Sequence, residues 1–126
     1  MAKADFLKKR ADEFFETADY HLKKHSYSLA AFDLEQTCQL YLKYYLFLKI
    51  KDFPKTHFLR ELLKGIEKAY NVRNKVKILE EENVSVIGDL EQAYLTSRYL
   101  PSEFTKFQVE KMREFVRKLI EFLKNL

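Results

Sequence analysis

The chain of 126 residues is 47% hydrophobic and 15% aromatic, which is enough apolar material for one folded core and excludes a disordered chain. Two glycines and two prolines are too few for a turn-rich β fold, and the single cysteine, Cys38, excludes an internal disulfide framework. The net charge of +4 is uneven: residues 1–79 carry 16 Lys and Arg against 10 Asp and Glu. A phosphate-bearing partner is one interpretation of this basic half, and solvated helix faces are the alternative.

The first predicted helix covers residues 4–24, where apolar side chains recur mostly at three- and four-residue steps. Ser26 or Ser28 can cap a second helix, which continues to about residue 51. Two long helices joined by so short a connection are predicted to pack antiparallel.

Three further helices are predicted at residues 58–70, 84–98 and 103–126, with a weaker helical turn at 73–82. Thr56 is the expected cap of the third helix, and Asn71 can close it. Pro101 and Ser102 mark the start of the last one. The sequence therefore predicts one domain over residues 1–126, an all-α up-down bundle of about five helices.

The second helix is apolar around nearly its whole circumference over residues 40–50. A helix with one buried side does not require this, so the segment is expected to be central in the bundle or buried against another chain as well. We therefore predict a homodimer, with residues 40–50 forming most of its interface.

Gln36, Gln39 and Lys43 form a polar stripe on this helix, because steps of three and four residues lie on one face. Such a stripe can be a hydrogen-bonding network that specifies a dimer, or it can line a nucleotide-sized cleft. A network should be buried and internally satisfied, whereas a ligand site should be partly open.

No targeting or membrane segment is expected. The first residues are charged and lack the apolar core of a signal peptide, and the apolar run at 40–50 is interrupted by Lys43 and Lys49. We expect a cytoplasmic protein that does not enter a membrane. There is no zinc-binding spacing, and no cofactor or metal is predicted.

Three segments, in this order, resemble successive landmarks of the HEPN domain family over nearly the whole chain: YSLAAFDLEQTCQLYLK, PKTHFLRELL and AYLTSRYLPSEFTKFQVEKMREFVRKLIEFL. The family commonly has an acidic residue where this chain has Gln39, so the resemblance does not extend to a role that needs a carboxylate there. Many HEPN proteins are metal-independent ribonucleases that use an Arg and a His separated by four to six residues. The histidines here are His21, His25 and His57, and none follows Arg73 or Arg98, so we predict no catalytic residue of this kind.

The resemblance instead implies the branch of the family encoded with minimal nucleotidyltransferases, in pairs of the toxin–antitoxin kind. Arg98 and Tyr99, in SRYLP, match the ending of those proteins and are implied to bind nucleotide or substrate. An internal salt bridge of Arg98, with Glu35 or Glu91 as partner, is the alternative.

Two other residues are candidate ligand contacts. His57 precedes the third helix beside Lys55 and Thr56, where backbone N–H groups, a hydroxyl and a cation can hold a phosphate; capping and packing is the alternative. Lys43 has apolar neighbours, but it can also extend to the surface with its stem packed.

The first functional hypothesis is thus a dimeric, non-catalytic nucleotide- or substrate-binding module, with a minimal nucleotidyltransferase as partner and a nucleotide or RNA as ligand. A ribonuclease with an unorthodox active site and a helical dimerisation scaffold without ligand are the alternatives.

Overall fold

Helices account for all regular structure in the part of the chain that the computed structural model describes, residues 3–97, 99 and 104–126. In chain order they are α1 (Lys3–Lys23), α2 (Tyr27–Ile50), α3 (Leu59–Tyr70), α4 (Arg73–Glu82), α5 (Val84–Thr96) and α6 (Lys106–Lys124). The predicted all-α bundle is confirmed. No helix among the described residues is both long and apolar enough to span a membrane.

Residues 73–82 form a complete helix, α4, where the sequence predicted a weaker helical turn, so the described residues form six helices. Val76 and Leu79 are buried and attach α4 to the core, which compensates for its low intrinsic hydrophobicity. Asn83 separates α4 from α5, and its side-chain amide donates to the Leu79 carbonyl at 2.8 Å.

The α1–α2 pair is the predicted antiparallel hairpin. The chain reverses at His25, which has a left-handed backbone with φ of 61°, and the Ser26 N–H donates to the His21 carbonyl at 2.9 Å. Fully buried alanines at positions 11, 18, 30 and 31 keep side chains small in this part of the core. Short side chains allow two helix axes to approach closely.

Helix α2 is central, since it packs against α1, α3, α5 and α6. This position explains much of its apolar circumference: Tyr41, Leu42 and Leu46 are buried within the chain. Leu48 and Ile50, by contrast, remain 42% and 52% exposed at the end of the helix. The predicted dimer interface on residues 40–50 therefore stays a prediction.

Helix α3 packs closely on α2 because Gly65 has no side chain. A Cβ atom placed there would lie 3.3 Å from both terminal methyl carbons of Leu46. Asn71 closes α3 in a left-handed conformation with φ of 54°, as predicted. Thr56 does not cap the first turn itself; its hydroxyl accepts from the Phe58 N–H at 3.1 Å, just before α3 begins.

Helix α6 begins at Lys106, three residues later than predicted, because Thr105 and Gln108 form a reciprocal capping box. The helix is attached to α1 by Arg113, whose Nε donates to Asp19 Oδ1 at 2.6 Å and whose Nη2 donates to Asp19 Oδ2 at 3.1 Å. Such a two-bond arginine–carboxylate pair fixes orientation as well as distance.

Replacing Tyr41 by phenylalanine is expected to lower the free energy of unfolding by about 1–2 kcal/mol, because the buried hydroxyl donates to the Asp12 carboxylate. Burial, together with Asp12, raises the pKa of Tyr41 above its usual value of 10.0. Above pH 10 the unfolded tyrosine loses its proton while the folded one keeps it, so stability falls as pH rises. Urea unfolding between pH 8 and 11 should show a smaller fall in the free energy of unfolding for Tyr41→Phe than for the wild type. Equal falls would contradict a raised pKa of Tyr41 as the cause.

Candidate functional site

The polar stripe of α2 is organised around Glu35, whose side chain is fully buried. Gln36 Nε2 donates to Glu35 Oε1 at 2.8 Å, and Gln39 Nε2 donates to Glu35 Oε2 at 2.5 Å. The amide nitrogen of Gln39 donates to Glu35, so the amide oxygen of Gln39 is directed to the other side. There Gln39 Oε1 accepts a hydrogen bond from Lys43 Nζ at 3.4 Å. The predicted stripe is therefore one continuous network along the helix.

Lys43 lies at the partly open end of this network. Burial lowers the pKa of its ammonium group, while the negative charge of Glu35 opposes that change. The ammonium nitrogen is also 5.6 Å from the centre of the Phe53 ring, a cation–π contact. Phe53 belongs to the segment that connects α2 to α3, so Lys43 is in contact with that segment.

His57, near the other end of the same connecting segment, is fixed by aromatic stacking on α5. Its ring lies 4.3 Å from the Tyr94 ring, at an interplanar angle of 9°, and 4.2 Å from the Phe58 ring. Its Nε2 is buried without a hydrogen-bond partner, as is Ser97 Oγ. Ser97 directly follows α5, three residues after Tyr94. Two buried polar atoms of the described residues, one on the connecting segment and one at the end of α5, thus lack a hydrogen-bond partner.

The last predicted contacts, Arg98 and Tyr99, follow α5. Arg98 lies outside the described residues, and Tyr99 is 74% exposed, with its N–H 3.3 Å from the Thr96 carbonyl. Of the two carboxylates considered as partners of Arg98, Glu91 accepts a hydrogen bond from the Arg60 guanidinium and another from the Arg60 backbone N–H at 3.3 Å. Glu91 thereby joins α5 to the first turn of α3.

A histidine–carboxylate pair that sequence reasoning missed joins α1 to α2. His21 Nδ1 lies 2.6 Å from Asp33 Oδ2, and Asp33 is buried. Burial raises the pKa of Asp33, and the contact with His21 only partly offsets that effect. The two residues are 12 positions apart on antiparallel helices, so only the register of the hairpin could have revealed the pair.

The sequence-predicted residues are thus brought together in part. Gln36, Gln39 and Lys43 share one network, and the connecting segment links Lys43, through Phe53, to the part of the chain that holds His57. Sequence reasoning missed Phe53 and Tyr94, which could have been suspected as aromatic neighbours of the candidate cation and histidine. Within the described part of the chain, no cluster of three His, Cys, Asp or Glu residues could hold a metal ion.

Comparison with known proteins agrees with this architecture. The profile of the HEPN domain matches residues 4–126, and the chain therefore belongs to the HEPN domain family. The fold is similar to that in the crystal structure of TT1696 from Thermus thermophilus, with a TM-score of 0.78, 21% identity, and coverage of 99% of this chain and 98% of that one. No curated protein was found to be significantly similar in sequence.

Proposed function

We propose that this chain is a non-catalytic HEPN module that binds a nucleotide or another phosphate-bearing substrate. It acts as a homodimer beside a separately encoded minimal nucleotidyltransferase that supplies the chemistry. The observation that carries the proposal is the position of Lys43, a cation half withdrawn from water at the open end of a fixed hydrogen-bond network.

The ammonium group of Lys43 has three donors, and the described contacts use one of them, towards Gln39 Oε1 at 3.4 Å. Burial makes the charged form costly, which the lowered pKa reflects, and an anionic ligand would offset that cost. Beside it, the half-buried ring of Phe53 offers a flat apolar surface. A phosphate on Lys43 with an aromatic ring next to it suits a nucleotide.

The histidines support a binding role over a ribonuclease. No Arg in the sequence is followed by a His after four to six intervening residues. His21 is paired with Asp33, His57 is stacked on Tyr94, and His25 is stacked on Tyr27 with 6.0 Å between ring centres. Proton transfer at a phosphate needs a positioned base, which the sequence does not supply in the family's usual place.

We expect the purified protein to bind ATP or GTP with a dissociation constant on the order of 0.1–1 mM, because a shallow site is screened by salt. Lys43→Met should weaken binding at least about fivefold, since it removes the charge but keeps the stem. Arg98→Ala should also weaken it. Titration calorimetry at two salt concentrations, supported by NMR, would measure both effects.

Lys49→Met is the matched control, because Lys49 is exposed on the same helix and its ammonium nitrogen lies 5.5 Å from the Tyr70 ring. It should leave affinity unchanged within about twofold. No binding at millimolar nucleotide, or equal effects of the two lysine variants, would contradict a nucleotide site at Lys43.

Cleavage of RNA by the purified protein would instead support the ribonuclease alternative. A neighbouring reading frame with a nucleotidyltransferase Gly-Ser and paired-Asp motif would support the partner.

A helical dimerisation scaffold is the second candidate, and one observation favours it. Glu35 and Gln39 are buried and bonded to each other, which is how a structural network without ligand would look. The lysine variants separate the two candidates, because a scaffold has no reason to bind nucleotide through Lys43.

A further inference from the structure

A groove of about 520 Å³ lies between α5 and α6, away from the polar stripe of α2. Phe107 stands at its edge with 67% of its surface exposed, although it is a large apolar residue in the first turn of α6. The ammonium nitrogen of Lys111 lies 5.3 Å from the centre of its ring. The half-buried Val86 and the buried Phe115 contribute apolar surface to the groove.

The two walls of this groove differ in charge. Glu82 and Asp89 lie on the α4–α5 side, and neither forms an ion pair with another described residue. Lys111 and Lys118 lie two helical turns apart on the α6 side. Lys111 is paired with Glu114 at 3.4 Å, whereas Lys118 has no ion-pair partner in the described ranges. Glu114 also lines the α6 side, where it pairs with Lys111. The groove thus has an acidic wall, a wall made basic by Lys118, and the exposed Phe107 at its edge.

We infer that this groove is the surface on which a second copy of the chain docks, with Phe107 as its aromatic anchor. The inference rests on the proposed homodimer and assigns it a surface other than residues 40–50. In a two-fold dimer the same patch meets itself, so each contact is formed twice. Lys118 of one protomer then faces Glu82 and Asp89 of its partner, and Phe107 packs against Val86 above Phe115.

Charge complementarity favours this occupant over a segment that carries one sign of charge. A purely acidic segment would match only the basic wall, and a purely basic segment only the acidic one. A second copy carries both walls and also supplies the exposed aromatic residue. Exposed aromatic side chains that enter a desolvated centre are typical anchors of protein interfaces.

Sedimentation equilibrium of the full chain tests the surface. Phe107→Glu should raise the dimer dissociation constant at least about thirtyfold, because it replaces the anchor on both protomers with a charge. Ile78→Glu is the control: Ile78 is a comparably exposed apolar residue on α4, 54% exposed, and its change should leave the constant within about twofold. Circular dichroism should show equal helix content in both variants.

A charge exchange makes the test specific. Asp89→Lys and Lys118→Asp should each weaken the dimer about tenfold, and the double variant should recover to within about threefold of the wild type. A Phe107→Glu protein that still dimerises normally, while Tyr44→Glu with Phe47→Glu does not, would overturn this surface in favour of residues 40–50 and leave the proposed dimer intact. A monomeric wild-type protein would overturn both the proposed homodimer and this docking surface. The proposed nucleotide binding through Lys43 does not depend on that result. If the Phe107→Glu variant still dimerises normally but no longer binds a nucleotidyltransferase partner, the second-copy proposal is overturned and the groove is assigned to that partner.

Discussion

Replacing Glu35 by alanine is expected to lower the free energy of unfolding by about 3 kcal/mol, one of the two largest effects that we predict for a single substitution. The Glu35 side chain is fully buried, and its carboxylate accepts hydrogen bonds from the amide groups of Gln36 and Gln39. Alanine removes both acceptors, leaves the buried Gln39 amide nitrogen without this partner, and opens a cavity beside it.

Glu35→Gln is the control for size, because it keeps the volume and one carbonyl oxygen while removing the charge. Glu35→Gln should lower the free energy of unfolding by about 1–2 kcal/mol, less than Glu35→Ala. Since the charge of Glu35 raises the pKa of Lys43, this variant should also lower that pKa further. Urea unfolding followed by circular dichroism measures the stabilities, and NMR titration measures Lys43. Wild-type stability in Glu35→Ala would show that the network is not structural.

Substitutions at the contact between α2 and α3 should lower the free energy of unfolding about as much as the loss of the Glu35 side chain. Leu46 is fully buried, and its terminal methyl carbons lie where a side chain on Gly65 would have to fit. Leu46→Ala is expected to cost about 3 kcal/mol through lost burial and the remaining cavity. Gly65→Val should cost about 2 kcal/mol, because its methyl groups overpack the same space.

Combining these two changes should cost about 1 kcal/mol less than the sum of the single effects, since the valine methyl groups occupy part of the leucine cavity. Leu48→Ala, at an exposed position two residues further along α2, should change stability by only about 0.5 kcal/mol. Thermal and urea unfolding of the four variants would check the pattern. Strict additivity would mean that Gly65 and Leu46 do not share one packing space.

Local signals account for what could be read from the sequence about the helices. Apolar spacing defined α1, α2 and α3 to within one or two residues, and Asn71 was recognised as the closing residue because a left-handed cap favours that residue type. Helix α4 was underestimated since its own composition is polar. It is attached to the core by two buried side chains, Val76 and Leu79, and that attachment is a tertiary effect.

The candidate site was predictable only where it follows one helix. Gln36, Gln39 and Lys43 could be placed on one face from their spacing, but the spacing offered no reason to place Glu35 at the centre of their network. Glu91 is a candidate partner of Arg98 by helical pattern, whereas in the structure it bonds to Arg60, which lies 31 residues away. The contact of Lys43 with Phe53 depends on the path of a connecting segment that has no regular pattern.

By itself, then, the sequence determined an all-α chain, its main helices, one polar stripe and the lack of the family's Arg–His pair. Periodicity, caps and residue spacing are local properties, and they are visible without a fold. Only the tertiary structure decided that α2 is central, that His21 meets Asp33 and that Arg113 meets Asp19 over a separation of 94 residues. It alone revealed the groove beside Phe107. Such contacts depend on which helix faces pack together, and that choice is made by the burial of the whole core rather than by any one segment.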